Sequence, residues 1–466
     1  MYRILGALGA LVLVFGTMTG SVSGQSDGKT PLALARPAGI VMAPSEAVAA
    51  SAIVPDLAHP GWSGEQLLGP VKNDDWEPAV AADPVLAYVY ILTTRYGGQK
   101  ACSACPDPAL ILKVSKNGGQ TFGPDQFLCA CAGVTGQNDP QIEVASDGTV
   151  YAAWLNDYVP GVVFSKSSDH GSSWTSPITL KTPAIAFGDK PALAISSTGQ
   201  EVYVAWNSSD SYISVSHDFG ASFGPPIKTN SDSRYWFAYA GAVAPDGTVT
   251  FSETNYTQAS LGPVRVDAIR STDGGQHWRT VLIDTVAQQP PCVSVGCPID
   301  FYGPSDPMAM DATGRLVVMY QGASVPSGPQ RVYVRSSSNG GLTWSKRTDI
   351  DGGPLGTNAA FGGATGTGQG DVRLWYQDDR NGAAGWNTWF RSSTDGGLTW
   401  SPEVRLSNRS TGAPYKTAAG YAQPYGDYGE VAITNTGASI AVWGEGASYA
   451  GPGGTWYDLT TGRGDN

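Results

Sequence analysis

Histidine is rare in this chain, which has 4 among its 466 residues. Three of them, His170, His217 and His277, lie inside a repeated octapeptide, and His59 lies in an Ala-, Ser- and Pro-rich stretch. A Ser-His-Asp hydrolase and a His-ligated metal site both need histidine at the reacting centre. The sequence therefore predicts neither, and chemistry would depend on carboxylates, Tyr, Lys or Arg.

Basic residues are also few, with 28 Lys and Arg against 40 Asp and Glu and a formal net charge of −12. Nucleic-acid binding needs basic surface that neutralises phosphates, so it is not expected. Long helical patterns are missing, whereas Gly (60) and Pro (32) are abundant. This composition favours many short strands joined by turns.

The longest apolar run lies at the start of the chain, where Arg3 precedes the apolar stretch 4–18. A short apolar run behind a positive residue and before small residues is typical of a secretory signal peptide. We predict a signal peptide at 1–24, a flexible linker at 25–60 and one folded domain at 61–466. No second apolar run appears near the end of the chain, so no membrane or wall anchor is expected, and the protein should be secreted or periplasmic.

Six cysteines agree with an oxidising compartment. Cys292 and Cys297 are close in sequence and are expected to pair. The others form a second group whose connectivity the sequence leaves open: Cys102, Cys105, Cys129 and Cys131. The alternative for this second group is a four-thiolate zinc site, although its spacing matches no zinc ribbon.

One octapeptide, Ser-x-Asp/Asn-x-Gly-x-x-Trp/Phe, occurs six times at separations of 49 to 66 residues. Such a period is that of a four-stranded propeller blade. The copies span 115–122, 167–174, 216–223, 271–278, 337–344 and 393–400. Each copy predicts a hairpin turn in which the side-chain oxygen of Asp or Asn accepts hydrogen bonds from backbone N–H groups two residues later. Its Gly takes a positive φ, and its closing aromatic packs back into the blade.

A second pattern, two strands around a small turn, precedes each octapeptide and occurs once more near Glu430, where no octapeptide follows. The segment Glu65–Val71 resembles the segments that come after the octapeptides. We therefore predict an all-β, seven-bladed β-propeller whose last blade is completed by this N-terminal strand, which leaves no free sheet edge. A six-bladed propeller is the alternative. The aromatics that end second strands, such as Trp154, Trp206, Tyr376 and Trp443, are expected in the core.

The six octapeptides resemble the Asp-box (BNR) repeat of the sialidase superfamily. The resemblance covers roughly residues 65–460 and implies the propeller fold, with the boxes on the face away from the functional site. That superfamily includes sialidases and other glycosidases, and also receptors and assembly factors. Working sialidases bind a substrate carboxylate with three arginines and use a Tyr nucleophile, a Glu that activates it and an Asp acid/base.

The arginines that fall on the expected functional face are Arg95, Arg234 and Arg380, and they are the candidate substrate-binding cations. They belong to different blades, which makes a tight triad doubtful. The Arg-Ile-Pro motif of the superfamily is absent, because the Arg3-Ile4 pair is followed by Leu5.

Acid/base and nucleophile candidates come from the loops of the same face and are Glu77, Asp139, Glu253, Tyr425 and Tyr428. Aromatics there that could stack on sugar rings are Tyr235, Trp236, Tyr302 and Trp386. The carboxylates of 138–140, 189–191 and 305–307 recur at equivalent positions. This recurrence equally fits a structural role in which they cap loop N–H groups around the central channel.

The sequence thus predicts a secreted, monomeric, sialidase-like propeller that binds or hydrolyses glycans, with a carbohydrate or glycoconjugate as its partner. The main alternative is a non-catalytic scaffold that binds glycan or protein. A third, a calcium-stabilised structural protein, follows from the acidic loops, because Ca²⁺ prefers oxygen ligands. No cofactor is otherwise expected.

Overall fold

A computed structural model of the chain describes residues 60–69, 73–157, 161–180, 187–257, 263–288, 305–381, 386–407, 416–417, 420–421, 428–446 and 453–461. Within these ranges the regular elements are 30 β-strands and no helix. The predicted signal peptide and most of the predicted linker lie outside the described residues. No described element is a helix that could span a membrane.

Seven four-stranded antiparallel sheets, here called blades 1 to 7, carry the fold. The first strand, Gln66–Leu67 (β1), belongs to blade 7. Blade 1 contains Asp74–Ala82 (β2), Val89–Tyr96 (β3), Ala109–Ser115 (β4) and Gln126–Phe127 (β5). Blade 2 contains Gln137–Val144 (β6), Val150–Asn156 (β7), Gly161–Ser167 (β8) and Ile178–Thr179 (β9). Blade 3 contains Asp189–Ile195 (β10), Val202–Ser208 (β11), Asp210–Ser216 (β12) and Ile227–Lys228 (β13).

The remaining blades repeat this order. Blade 4 contains Tyr235–Val243 (β14), Val249–Tyr256 (β15), Val264–Ser271 (β16) and Arg279–Val286 (β17). Blade 5 contains Met308–Met310 (β18), Leu316–Gly322 (β19), Arg331–Ser337 (β20) and Thr348–Asp349 (β21). Blade 6 contains Ala359–Thr367 (β22), Asp371–Asp378 (β23), Asn387–Ser393 (β24) and Val404–Arg405 (β25). A hairpin of Lys416–Thr417 (β26) and Gly420–Tyr421 (β27) precedes Glu430–Ile433 (β28), Ser439–Gly446 (β29) and Gly453–Leu459 (β30) of blade 7.

The first strands of the blades form a closed inner ring. Each contacts the first strand of the next blade, in the order β2, β6, β10, β14, β18, β22, β28 and back to β2. Seven blades around one axis confirm the predicted seven-bladed β-propeller, and the six-bladed alternative is wrong.

The ring is closed by the N-terminal strand, as predicted. Gln66 pairs with Tyr457 and Leu67 with Trp456, so β1 is the outer strand of blade 7. The carboxylate of Asp458 accepts from the Ser63 hydroxyl at 2.9 Å and from the Gly64 N–H at 3.0 Å. Joining the two ends of the folded domain within one blade removes the edge that blade would otherwise expose.

The octapeptides lie between the third and fourth strands of blades 1 to 6, where they form the predicted turns. In the second copy the Gly171 N–H donates to Ser167 Oγ at 2.9 Å, and the Ser173 N–H donates to Asp169 Oδ1 at 2.8 Å. The Asp oxygen therefore bonds an N–H four residues on, so the expected two-residue spacing is wrong. The reason is that two successive residues, His170 and Gly171, take positive φ and curl the chain back over the Asp side chain.

Each octapeptide also joins its blade to the preceding one. Phe122 of blade 1 lies edge-on against Tyr457 of blade 7, with ring centroids 5.1 Å apart. A Cβ on Gly220 would meet the Phe164 ring of blade 2 at 2.6 Å. This Gly is therefore required both by its φ of 70° and by the close approach. The aromatic closes the boundary between blades rather than the interior of its own blade.

The core consists of apolar layers between neighbouring blades. One such cluster joins Tyr90 and Leu112 of blade 1 to Trp154 and Val163 of blade 2. The expectation that Trp154, Trp206, Tyr376 and Trp443 are core residues is confirmed, since each is at most 1% exposed. Burial of large aromatics contributes most of the stabilisation available in such layers.

The four cysteines of the second group form two short-range disulfides, Cys102–Cys105 and Cys129–Cys131. Their sulfurs are therefore not available as thiolates, and the zinc alternative for this group is wrong. Cys292 and Cys297 lie outside the described residues.

Candidate functional site

The antiparallel order of each blade places the start of the first strand and the end of the second strand on the face opposite the octapeptides. We call this the open face. At its centre the seven inner strands surround an axial cavity of about 390 Å³. Residues of all seven blades line it, among them Asp139, Glu143, Lys190, Tyr428 and Glu430. A cavity of this size falls within the range of small-molecule sites.

Three inner strands have, within their first four residues, a residue that is held in the left-handed region and followed by proline. Glu77, Asp139 and Lys190 have φ values of 53°, 52° and 47°. At each of these points the pairing with the second strand shifts register. A bulge of this kind turns a side chain out of the regular strand direction, and a non-Gly residue at positive φ costs about 1–3 kcal/mol. Strained backbone around a cavity is typical of functional sites.

Side chains from different blades meet at the open-face mouth of the cavity. The Nζ of Lys190 in blade 3 lies 4.0 Å from Oε1 of Glu77 in blade 1. The same Nζ lies 5.2 Å from the centre of the Tyr428 ring, which leads into blade 7. The Tyr428 hydroxyl donates to the carbonyl of Pro140 in blade 2 at 3.4 Å. The mouth thus combines an ammonium, a carboxylate and an aromatic ring.

Two glutamates line the wall of the cavity. Glu430 Oε2 accepts from the Val80 N–H at 2.6 Å. Burial raises the pKa of Glu430 well above its usual range, and the nearby Glu143 raises it further. Burial also raises the pKa of Glu143, to about 7. Burial therefore favours the protonated form of both carboxyl groups.

Of the sequence candidates for chemistry, Asp139 and Tyr428 line the cavity, and Glu77 lies beside Lys190 at its mouth. Sequence reasoning missed Glu143, Glu430 and Lys190. A signal for Glu143 was present, because Gln141, Ile142 and Glu143 alternate polar and apolar along an inner strand. Tyr425 and Tyr302 lie outside the described residues.

Glu253 is placed on the open-face side of blade 4 but not in the cavity. It is fully buried, and the Ser211 hydroxyl donates to its Oε1 at 2.8 Å. Burial, opposed by that bond, raises its pKa to about 8. Asp306 is also fully buried, and its pKa lies well above the usual range because of burial and the neighbouring Glu253. Burial favours the protonated form of both carboxyl groups, which lie beside the cavity rather than in its wall.

Each of the three candidate arginines has local partners. Arg95 donates to both oxygens of Asp75, at 2.6 and 2.9 Å, and to Asp125 at 2.5 Å. Arg234 donates to the carbonyl of Asn255 at 2.8 Å. The structure does not bring these side chains together, since they belong to blade 1 and to the start of blade 4.

The third arginine, Arg380, lies at the open-face end of blade 6. It donates to both oxygens of Glu403, at 2.7 and 3.0 Å, and to Asp378 at 2.6 Å. Its guanidinium stacks 3.7 Å above the Trp389 ring. Bidentate bonds to a carboxylate satisfy the donors that would otherwise hold an acidic ligand.

The predicted sugar-stacking aromatics of the described residues are buried. Tyr235, Trp236 and Trp386 are 3%, 1% and 1% exposed. The indole N–H of Trp236 donates to Asp232 at 2.8 Å. In this conformation these rings are packed in the blades, and Tyr428 is the aromatic candidate that lines the cavity.

No protein-family profile and no curated protein matches this chain. Solved structures do. A polysaccharide lyase, an ulvan lyase solved with -[GlcA(1-4)Rha3S]-, has a TM-score of 0.50 at 12% identity, covering 85% of this chain and 94% of the lyase. The Hadza microbial sialidase Hz136 has a TM-score of 0.46 at 12% identity, covering 83% of this chain and 65% of that sialidase. The NanB sialidase from Streptococcus pneumoniae has 0.45 at 11%, covering 85% and 70%.

The ulvan lyase, at 12% identity and a TM-score of 0.50, shows a similar fold and does not transfer an activity. The fold of this chain is that of a seven-bladed β-propeller.

Proposed function

We propose that this protein binds a carbohydrate at the open-face mouth of the axial cavity. The observation that carries the proposal is the meeting of Glu77, Lys190 and Tyr428, from three blades, at the mouth of a cavity of about 390 Å³. Sugars present hydroxyl groups around an apolar ring face. A carboxylate and an ammonium can bond the hydroxyl groups while an aromatic ring contacts the face.

A second candidate function, glycoside hydrolysis, is favoured by the carboxyl groups of the cavity wall. Canonical glycosidases use one protonated and one ionised carboxyl group on either side of the scissile bond. Burial raises the pKa of Glu430 well above its usual range, which favours its protonated form, and it raises the pKa of Glu143 to about 7. Glu430 is then the candidate acid and Glu143 the candidate base.

A sialidase-type mechanism with three arginines receives less support. The donors of Arg95 and Arg380 are used by carboxylates, and the three arginines lie in separate blades. If the protein cleaves a glycoside, the carboxyl pair is the better candidate for the reacting groups.

Glycan-array binding tests the first function, and a panel of fluorogenic glycosides tests the second. We expect binding that Lys190→Met and Tyr428→Ala weaken and that Lys166→Met, on the octapeptide face, leaves unchanged. Turnover that Glu143→Gln and Glu430→Gln each reduce at least about hundredfold would support hydrolysis. Binding without turnover leaves a lectin-like protein, and no binding to any glycan contradicts the proposal.

We also propose that the protein is exported. Two disulfides among the described residues are compatible with an oxidising compartment. Fractionation of the source cells tests this, with the protein expected outside the cytoplasm and shortened by about the first 24 residues.

A further inference from the structure

The axial cavity carries more acidic than basic side chains. Among its described lining residues Asp139, Glu143 and Glu430 are acidic, and Lys190 is the basic one. Lys190 in turn lies 4.0 Å from Glu77, whose carboxylate offsets the ammonium charge. A carboxylate or sulfate group entering this cavity would meet negative rather than positive potential.

The three open-face arginines are each bonded to local acceptors, which are carboxylates for Arg95 and Arg380 and the carbonyls of Asn255 and Pro263 for Arg234. Arg95 bonds to Asp75 and Asp125, and Arg380 bonds to Asp378 and Glu403. Releasing either guanidinium for a ligand would leave carboxylates half-buried and without their partner, which is costly.

The contacts of Lys190 show how the mouth of the cavity accommodates an alkylammonium group. Its Nζ has a carboxylate at 4.0 Å and an aromatic ring centre at 5.2 Å. Deeper in the wall, the carboxyl groups of Glu143 and Glu430 would accept from a second ammonium. A bound cation would also favour their ionised forms, because an opposite charge within a few ångströms offsets the cost of burying a carboxylate.

We propose that the axial cavity takes an amino sugar, accepts neutral sugars less tightly and rejects sugars that carry a carboxylate or sulfate. This inference rests on the proposed carbohydrate site and names its ligand class. The saccharide ammonium donates to Glu143 and Glu430, while the ring faces Tyr428 at the mouth. Charge-assisted hydrogen bonds to carboxylates give the amino sugar its advantage over the N-acetylated form, which lacks the charge.

Isothermal titration calorimetry of the full chain at pH 7 tests the proposal with three probes. They are a tetramer of β-1,4-linked glucosamine, the same tetramer N-acetylated, and tetragalacturonate. We expect the glucosamine tetramer to bind about tenfold more tightly than the N-acetylated one, which corresponds to a difference in binding free energy of about 1.4 kcal/mol. Tetragalacturonate should bind most weakly. Raising NaCl to 0.5 M should shrink the difference, since salt screens charge interactions.

Substitutions identify which residues give the preference for the glucosamine tetramer. Glu143→Gln keeps the shape of the side chain and removes its charge. It should abolish most of the preference for the glucosamine tetramer over the N-acetylated one. Asp246→Asn, which removes an exposed carboxylate on the octapeptide face, is the matched control and should retain the preference. Asp246 Oδ1 accepts from the Thr248 N–H at 2.9 Å, and the amide oxygen of Asn keeps that bond.

Several outcomes would overturn the inference. Tetragalacturonate binding as tightly as the glucosamine tetramer contradicts it, and so does equal affinity for the two glucosamine forms. If both Glu143→Gln and Glu430→Gln keep the preference for the glucosamine tetramer, the ammonium binds at other residues. If none of the three probes binds, and no glycan on an array does, the carbohydrate site itself fails, which is a different result from a site of the wrong charge.

Discussion

Lys190 Nζ and Glu77 Oε1 lie 4.0 Å apart although the two residues belong to blades that are not neighbours, with blade 2 between them. Both residues have positive φ and precede a proline, so the two bulges direct their side chains toward the same axis. An ion pair that spans a blade depends on the curvature that brings blades 1 and 3 toward the same axis.

Lys190→Met should raise the Kd for the N-acetylated glucosamine tetramer about tenfold, because it removes a hydrogen-bond donor to the sugar hydroxyl groups from the mouth. Calorimetry measures the change. Lys166→Met, whose Nζ donates to Phe219 O on the octapeptide face at 2.6 Å, serves as the control and should bind like the parent protein. An unchanged Kd in Lys190→Met would remove this residue from the site.

Trp62→Ala should destabilise the protein by about 3–5 kcal/mol, the usual cost of truncating a buried aromatic. Trp62 is 4% exposed and lies edge-on to Phe390 of blade 6, with ring centroids 4.8 Å apart. It therefore anchors the closing strand to two blades. Urea denaturation measures the loss. Gly61→Ala, where an added Cβ would meet no atom within 4 Å but φ is 84°, controls for a local backbone effect.

Ser393→Ala should cost about 1–3 kcal/mol, since it leaves a buried N–H without its acceptor. Ser393 is 3% exposed, and its Oγ accepts from the Gly397 N–H at 2.9 Å. The same bond recurs in the other octapeptides, for example from Gly275 to Ser271 at 3.0 Å. Thermal melting compares it with the neighbouring Ser392→Ala, which should lose less than 0.5 kcal/mol, roughly the range of ordinary surface changes. Equal losses would contradict a role for the octapeptide serine.

Glu253→Gln should stabilise the protein increasingly as pH rises from 5 to 8. Burial raises the folded-state pKa of Glu253 from 4.5 to about 8, so the folded protein holds a proton that the unfolded chain releases. This group makes stability fall with rising pH between about 4.5 and 8, by up to about 1.4 kcal/mol per pH unit. The amide of Gln has no proton to lose. Melting temperatures across this range check the result against Asp246→Asn, for which no gain with pH is expected.

The fold could be predicted from the sequence because its main determinant is local and repeated. Ser167, Asp169 and Gly171 form their turn with one another, and the same residues recur in five other copies at blade spacing. Closure by the N-terminal strand was also predictable, since Glu65–Val71 resembles the other outer strands. The N–H group that bonds to the Asp oxygen could not be predicted, because this bond depends on two consecutive residues with positive φ. One of them is His170, and a histidine in the sequence does not indicate a positive φ.

The site was predictable only in part, because its residues are distant in sequence and come together only when the blades are arranged around the axis. Asp139 and Tyr428 could be assigned to the open face from the sequence. Their distance from Lys190 could not, because it depends on how close the bulge in each inner strand brings the side chain to the axis. Arg95 fell on the expected face, yet its pairing with Asp125, 30 residues on, uses up its donors. Burial of Trp236 and Trp386 reflects packing between blades, which the identity of a loop residue does not reveal.

The most direct test of the account is a crystal structure with the glucosamine tetramer bound. We predict that its terminal sugar lies in the axial cavity, with its ammonium within hydrogen-bond distance of Glu143 or Glu430 and its ring beside Tyr428. A saccharide bound on the octapeptide face, or between the outer strands of two blades with the cavity left empty, would contradict the claim that the axis is the functional centre of this propeller.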